Sequence, residues 1–201
     1  MGNFFDALYD TFSQTDSDNI KKIASQIGGQ YKSAGALKGQ QILVEYSDIN
    51  ILYDIVTISK GNAVDTRIRA EFKSHIQYHL VMNTKVWTNF FINIYGWKAA
   101  AEIHKYPKIT LSDELLEQLS IHGTNETVTA SLFDERAIKL LAHSSVHTFQ
   151  IHCDGESGKL YSMIYGGISD PDAFLKIHHM VCSLIDRMKE QRMIDTELYP
   201  I

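Results

Sequence analysis

The sequence predicts an α+β fold: a mainly antiparallel sheet packed by helices in a single compact domain. Three observations point there. Apolar residues recur at helical spacing near both ends of the chain, and they alternate with period two between those ends. The alternating stretches are joined by short turns, which antiparallel neighbours allow and parallel ones do not. Helices do not alternate one-to-one with strands, as repeated βαβ units would require. The chain has 201 residues, 44% of them hydrophobic and 21% charged, which suffices for a core without disulfide or metal staples.

Phe4, Phe5, Leu8, Tyr9 and Phe12 form an apolar stripe, with Asp6 and Asp10 off it. Residues 1–16 are therefore read as an amphipathic aromatic helix set apart from a domain over 17–195. A second helix, capped by Asp18, turns Ile20, Ile23, Ala24 and Ile27 to one side and ends at Gly28-Gly29.

Alternation then takes over. Ile42, Val44 and Tyr46 mark one strand, and Ile51, Tyr53 and Ile55 a second, whose other face carries Asp54. In the third, Thr66, Ile68, Ala70 and Phe72 alternate with Arg67, Arg69 and Glu71. In the fourth, Ile76, Tyr78, Leu80 and Met82 point inward, with His75, Gln77 and His79 outward. The short connections predict that these four form a meander, each pairing with the next.

Trp87, Phe90, Phe91, Ile94, Tyr95 and Trp97 cluster without a clean period. A short strand ending at Gly123 follows, then one helix from about Glu126 through Leu141. Phe149, Ile151 and Cys153 alternate with Gln150 and His152. Asp154-Gly155-Glu156-Ser157-Gly158 reads as a hairpin loop whose return strand runs from Leu160 to Tyr165. The last helix is the clearest. Asp170 caps it, Pro171 opens it, and Ala173, Phe174, Ile177, Val181, Leu184, Ile185 and Met188 make its buried stripe.

The formal net charge of −5 and the absence of any long Lys/Arg run argue against nucleic acid, which needs a basic surface. No apolar run reaches the length of a membrane span. Met1-Gly2 is not followed by Ser or Thr at position 6, so no myristoylation pattern forms. No secretion signal is recognised, so the sequon at Asn125 carries no weight and the cytoplasm is the expected compartment. Cys153 and Cys182 lack any CxxC context and read as two buried thiols.

Catalytic motifs are missing. No GxSxG surrounds a serine, no HExxH is present, and Gly166-Gly167 has no phosphate-loop context. Nine histidines are the unusual feature. His75 and His79 share a strand face but sit about 13 Å apart at full extension, too far for one zinc ion unless a neighbouring strand, such as the one bearing His152, contributes. His143 and His147 fall where a helix ends, and the adjacent His178 and His179 point apart. No cofactor and no metal are expected.

The expected function is a non-enzymatic ligand- or protein-binding module. Its candidate ligand surface is the polar strand face of Arg67, Arg69, His75, Gln77 and His79. Its candidate protein contact is the aromatic helix bearing Phe4, Phe5, Leu8 and Phe12. The expected partner is a protein or small molecule, with self-association an open alternative. The competing class is a small hydrolase or metal-dependent enzyme in which these histidines, or a Ser or Cys with a His, converge.

Overall fold

The alternation in the first half of the chain becomes neighbouring strands of one large sheet. The computed structural model describes residues 17–33, 40–57, 64–84, 105–110, 119–133, 135–142, 146–165 and 170–194. The order among them is helix α1 (17–26), β1 (Gln30–Ser33), β2 (Gln40–Tyr46), β3 (Ile49–Thr57), β4 (Val64–Lys73), β5 (Gln77–Thr84), β6 (Leu119–Gly123), α2 (Glu126–Leu132), α3 (Glu135–Ala142), β7 (Val146–Asp154), β8 (Ser157–Tyr165) and α4 (Pro171–Glu190). The eight strands form one sheet in the order β1-β2-β3-β4-β8-β7-β5-β6, antiparallel throughout. This is the α+β single domain that the spacing predicts. Residues 1–16, with Phe4, Phe5, Leu8 and Phe12, lie outside the described residues, as does the aromatic stretch 85–104.

One prediction fails. The four-strand meander stops after β4: β2, β3 and β4 pair in turn, but β5 does not pair with β4. The β7–β8 hairpin lies between them, β8 against β4 and β7 against β5. Geometry permits this because residues 74–76 run across the sheet. From Lys73 to Gln77 there are four Cα steps, which extend to roughly 13–14 Å. Three interstrand spacings of about 4.8 Å need nearly the same distance. The link arches over the hairpin tip, with Lys73 opposite Ser157 and Gln77 opposite Asp154. Ser74 fastens the arch. Its N–H donates to Glu156 O at 3.1 Å, and its Oγ donates to Met193 O at 2.8 Å on the chain leaving α4.

The tip itself is built by Asp154. One carboxylate oxygen accepts the backbone N–H groups of Glu156 (2.9 Å) and Ser157 (2.7 Å), and the other accepts the Ser157 hydroxyl at 2.9 Å. These bonds, led by the Ser157 backbone donor, hold the carboxyl down at about 2. Gly155 adopts φ +95°, closed to most side chains. On the other side of the tip, a Cβ on Gly158 would fall inside the Phe72 ring, so this site needs glycine for space.

Parity divides the sheet. Ile42, Val44, Ile51, Tyr53, Ile68, Ala70, Phe72, Tyr78, Leu80, Phe149, Ile151 and Leu160 point to one face and are buried with the helices. Against them α4 lays Phe174, Ile177, Met180, Val181, Leu184, Ile185 and Met188, all buried. Each such side chain contributes roughly 1.5–3 kcal/mol on leaving water. Asp170 accepts from Asp172 N at 3.1 Å as the N-cap, with Pro171 at the first position. The helix expected from Glu126 through Leu141 is two, α2 and α3. Asn125 caps the first by accepting from Val128 N at 3.1 Å, and Phe133 breaks it. The apolar residues at the break, Leu132 and Phe133, are both buried, so a helical period continues across a bend that sequence spacing does not reveal. Asp18 lies inside α1 and pairs with Lys21 rather than capping it. Alternation does not predict the polar strand β1, because Gln30-Tyr31-Lys32-Ser33 has little to alternate.

Candidate functional site

The face of the sheet opposite these packed side chains is organised in cross-strand rows, because residues in register on neighbouring antiparallel strands stand side by side. One row runs Glu71, Lys159, His152, His79. The next runs Leu52, Arg69, Tyr161, Gln150, Val81, His122. A third runs Asp54, Arg67, Met163, Thr148, Asn83, Ser120. Exposure is graded across them. Glu71, Lys159 and His152 in the first row are exposed, as are Gln77 and Arg69, whereas Asp54, Met163 and Thr148 in the third are buried.

Arg67 and Arg69 meet at Asp54. Arg67 donates Nε (2.8 Å) and Nη2 (2.5 Å) to one carboxylate oxygen, and Arg69 donates Nε (3.1 Å) and Nη2 (2.7 Å) to the other. The Asp54 side chain is 0% exposed, against 36% and 45% for the two arginines. A carboxylate taken out of water needs such compensation. Arg67 and Arg69 thus serve a buried acid on β3 to which the sequence pattern assigns no role. The signal was present: an Asp in an otherwise apolar strand, with two arginines at period two on the strand expected beside it.

Gln77 and His79 share this outer face, yet two strands separate them from Arg67 and Arg69. The continuous five-residue surface expected from the meander therefore does not form, and β7 and β8 supply its centre. His75 lies in the bend before β5, not on the strand. His79 instead meets His152. Its backbone N–H and C=O both bond to Thr124 on the β6 side, at 3.1 and 3.0 Å. The His79–His152 pair across the other edge is thus the non-hydrogen-bonded kind, in which side chains approach most closely. The ring centroids are 4.2 Å apart. Tyr106 stacks on the opposite side of His79 at 5.0 Å and 13°. His122 is held by Tyr106 O (3.0 Å from Nδ1) and Ser120 Oγ (3.2 Å from Nε2).

A second polar cluster lies inside the helical layer, between β3 and α4. His178 Nδ1 is 2.7 Å from Tyr53 Oη, and Cys182 Sγ is 3.6 Å from His178 Nε2. Burial drives the ring pKa down from 6.5 to about 4, with His179 a lesser cause. Burial also raises the Tyr53 phenol well above its ordinary value and pushes the Cys182 thiol up to about 12. A phenol at Tyr53 donates to Nδ1, which leaves the ring proton on Nε2 beside the sulfur. A nucleophilic cysteine needs a thiolate beside a cation; here the thiol and the imidazole are both neutral at pH 7. Cys153 is buried and raised as well, and both thiols are free. His179 points away from the core, as its adjacency to His178 predicts.

No family model matches this chain, and no curated protein matches it. Among solved structures it is similar to the crystal structure of the mycobacterial trehalose monomycolate transport factor A, TtfA, at 12% identity, over 92% of this chain and 97% of that one, with a TM-score of 0.47. A likeness of that degree transfers no residue role. No helix among the described residues is long and apolar enough to cross a membrane.

Proposed function

We propose that this chain is a non-enzymatic binding module whose contact surface is the exposed part of the outer sheet face. One observation carries the reading. A sheet packed by helices on one side presents on the other a polar cross-strand row, Glu71, Lys159, His152 and His79, of which the first three are exposed, with exposed Arg69 and half-buried Tyr161 alongside. Strands hold these groups at fixed spacing, and such rigidity lowers the ordering cost of binding a polar partner. The cysteine–histidine pair inside the core supports the same reading, since its protonation states do not suit nucleophilic chemistry.

The test uses Lys159→Glu and Tyr161→Ala, chosen over the arginines because Arg67 and Arg69 also stabilise the fold. Proteins and small molecules retained by the immobilised wild-type chain are compared with those retained by each variant. The reading expects a specific partner that both variants lose while each still unfolds in one cooperative transition and Lys159→Glu melts at the wild-type temperature. A small-molecule partner at a hundred times its Kd adds about 2.7 kcal/mol to wild-type stability alone. Partners retained equally by both variants would sink the proposal.

A further inference from the structure

The cluster at Asp54 carries more positive charge than the buried acid requires. One guanidinium neutralises one carboxylate; here two grip it, so the trio keeps one positive charge in excess. Its neighbours do not remove that charge. Neither arginine makes a further hydrogen bond or ion pair among the described residues. Their register partners on β8, Met163 and Tyr161, are neutral. Glu71, two residues beyond Arg69 on the same face, is turned to Lys159 at 3.2 Å.

The unused donors have a defined geometry. A guanidinium carries five N–H groups. Each arginine gives Asp54 two of them, one from Nε and one from Nη2. The second Nη2 hydrogen and both Nη1 hydrogens remain. The two Nη2 atoms stand 2.5 and 2.7 Å from the two oxygens of a single carboxylate, so they are no farther apart than one carboxylate spans. A second carboxylate, or a phosphate, can therefore bridge the same two nitrogens from the side away from Asp54, with Nη1 of either arginine adding an end-on bond. That side is the open one. The Asp54 side chain is 0% exposed, while Arg67 and Arg69 keep 36% and 45% of their surface in solvent.

We propose that Arg67 and Arg69 together bind the oxyanion of a small molecule, a carboxylate or a phosphate, with Asp54 as the fixed post that holds both guanidinium groups in place. A side chain already held by two bonds has little freedom left to lose on binding. The planar forks suit an anion with two oxygens better than a spherical ion such as chloride. This inference rests on the outer sheet face being the contact surface, and it names the ligand chemistry of that surface where β3 and β4 meet.

The test uses the full chain. Sodium acetate and sodium phosphate are titrated separately at constant ionic strength, with chloride as the compensating anion, because unspecific charge pairing follows ionic strength alone. The guanidinium nitrogen–proton signals of the five arginines are followed by nuclear magnetic resonance. Arg67 and Arg69 should move together along one saturable curve for at least one of the two anions, while Arg136, Arg187 and Arg192 stay in place. The anion with the tighter curve identifies the group on the natural ligand. Arg67→Lys and Arg69→Lys keep the charge and lose the planar fork, and each should weaken binding at least about tenfold. Arg136→Lys, exposed on α3, should leave it unchanged. A lysine variant that does not fold leaves the wild-type titration to decide. Curves that do not saturate, equal shifts in all five arginines, or unchanged affinity in a folded lysine variant would overturn the site. A flat titration beside a partner that Lys159→Glu and Tyr161→Ala lose refutes the anion site alone. A saturable titration beside partners that both variants retain upholds the anion site and refutes the wider contact surface.

Discussion

Removing Arg67 and Arg69 together should cost far more than a surface substitution, and removing Asp54 as well should restore much of the loss. Both arginines are more than a third exposed, and as surface ion pairs each would be worth 0–1 kcal/mol. Asp54 changes the account because its carboxylate is fully buried and receives all four bonds from them. Arg67→Ala or Arg69→Ala leaves one oxygen served, at a loss of about 1.5–3 kcal/mol for the charge-assisted bonds removed. Arg67→Ala/Arg69→Ala strands a buried charge and should cost about 3–5 kcal/mol. For a chain of this size that is a drop of roughly 6–20 °C in Tm, taking 2–4 °C per kcal/mol. Adding Asp54→Asn to the double variant removes the stranded charge and should return it to within about 1–2 kcal/mol of wild type. Urea unfolding followed by circular dichroism measures all four variants. A double variant within about 0.5 kcal/mol of wild type would refute the reasoning. So would a triple variant no more stable than the double.

Acid should weaken the fold through His178. Its folded pKa, about 4, lies below the ordinary 6.5, so the unfolded chain binds the extra proton first. Stability from this group is full above pH 6.5 and falls as the pH drops from there to about 4; urea midpoints across that range should lose this slope in His178→Phe. Both cysteines are buried thiols, Cys182 with a pKa near 12, so Ellman's reagent should label neither in folded protein and both in denaturant. Gly158→Ala should destabilise by about 1–3 kcal/mol through collision with the Phe72 ring. Phe72→Leu in the same chain should lower that penalty in a thermal melt.

Local pattern was legible wherever one physical cause dominated. Tyr78, Leu80 and Met82 lie inward on β5 with Gln77 and His79 outward, because alternation turns every second side chain to the helix-packed face. The Asp170-Pro171 start of α4 and its buried stripe were readable for the same reason. Neighbour relations were not. Alternation reports which face a side chain takes and is silent on which strand lies alongside. The pairing of His79 with His152 and the meeting of Arg69 with Tyr161 both depend on β7 and β8 entering between β4 and β5. Asp54 could be seen as odd in its strand, but its burial beneath two guanidinium groups follows from the β3–β4 register.

The arch at Ser74 constrains how the chain is made. Translation delivers β4 and β5 together, long before β7 and β8 exist. Until residue 165 emerges, the two strands expose edges that are complementary in the wrong way, since a three-residue connection also suits a direct hairpin between them. Native assembly demands that this tempting early partnership stay open, or reopen, to admit a later pair of strands and close Ser74 over their tip. Such a route loads the search with distant pairings, and those are slow. It leaves the half-synthesised chain in greatest need of a chaperone just before its centre arrives.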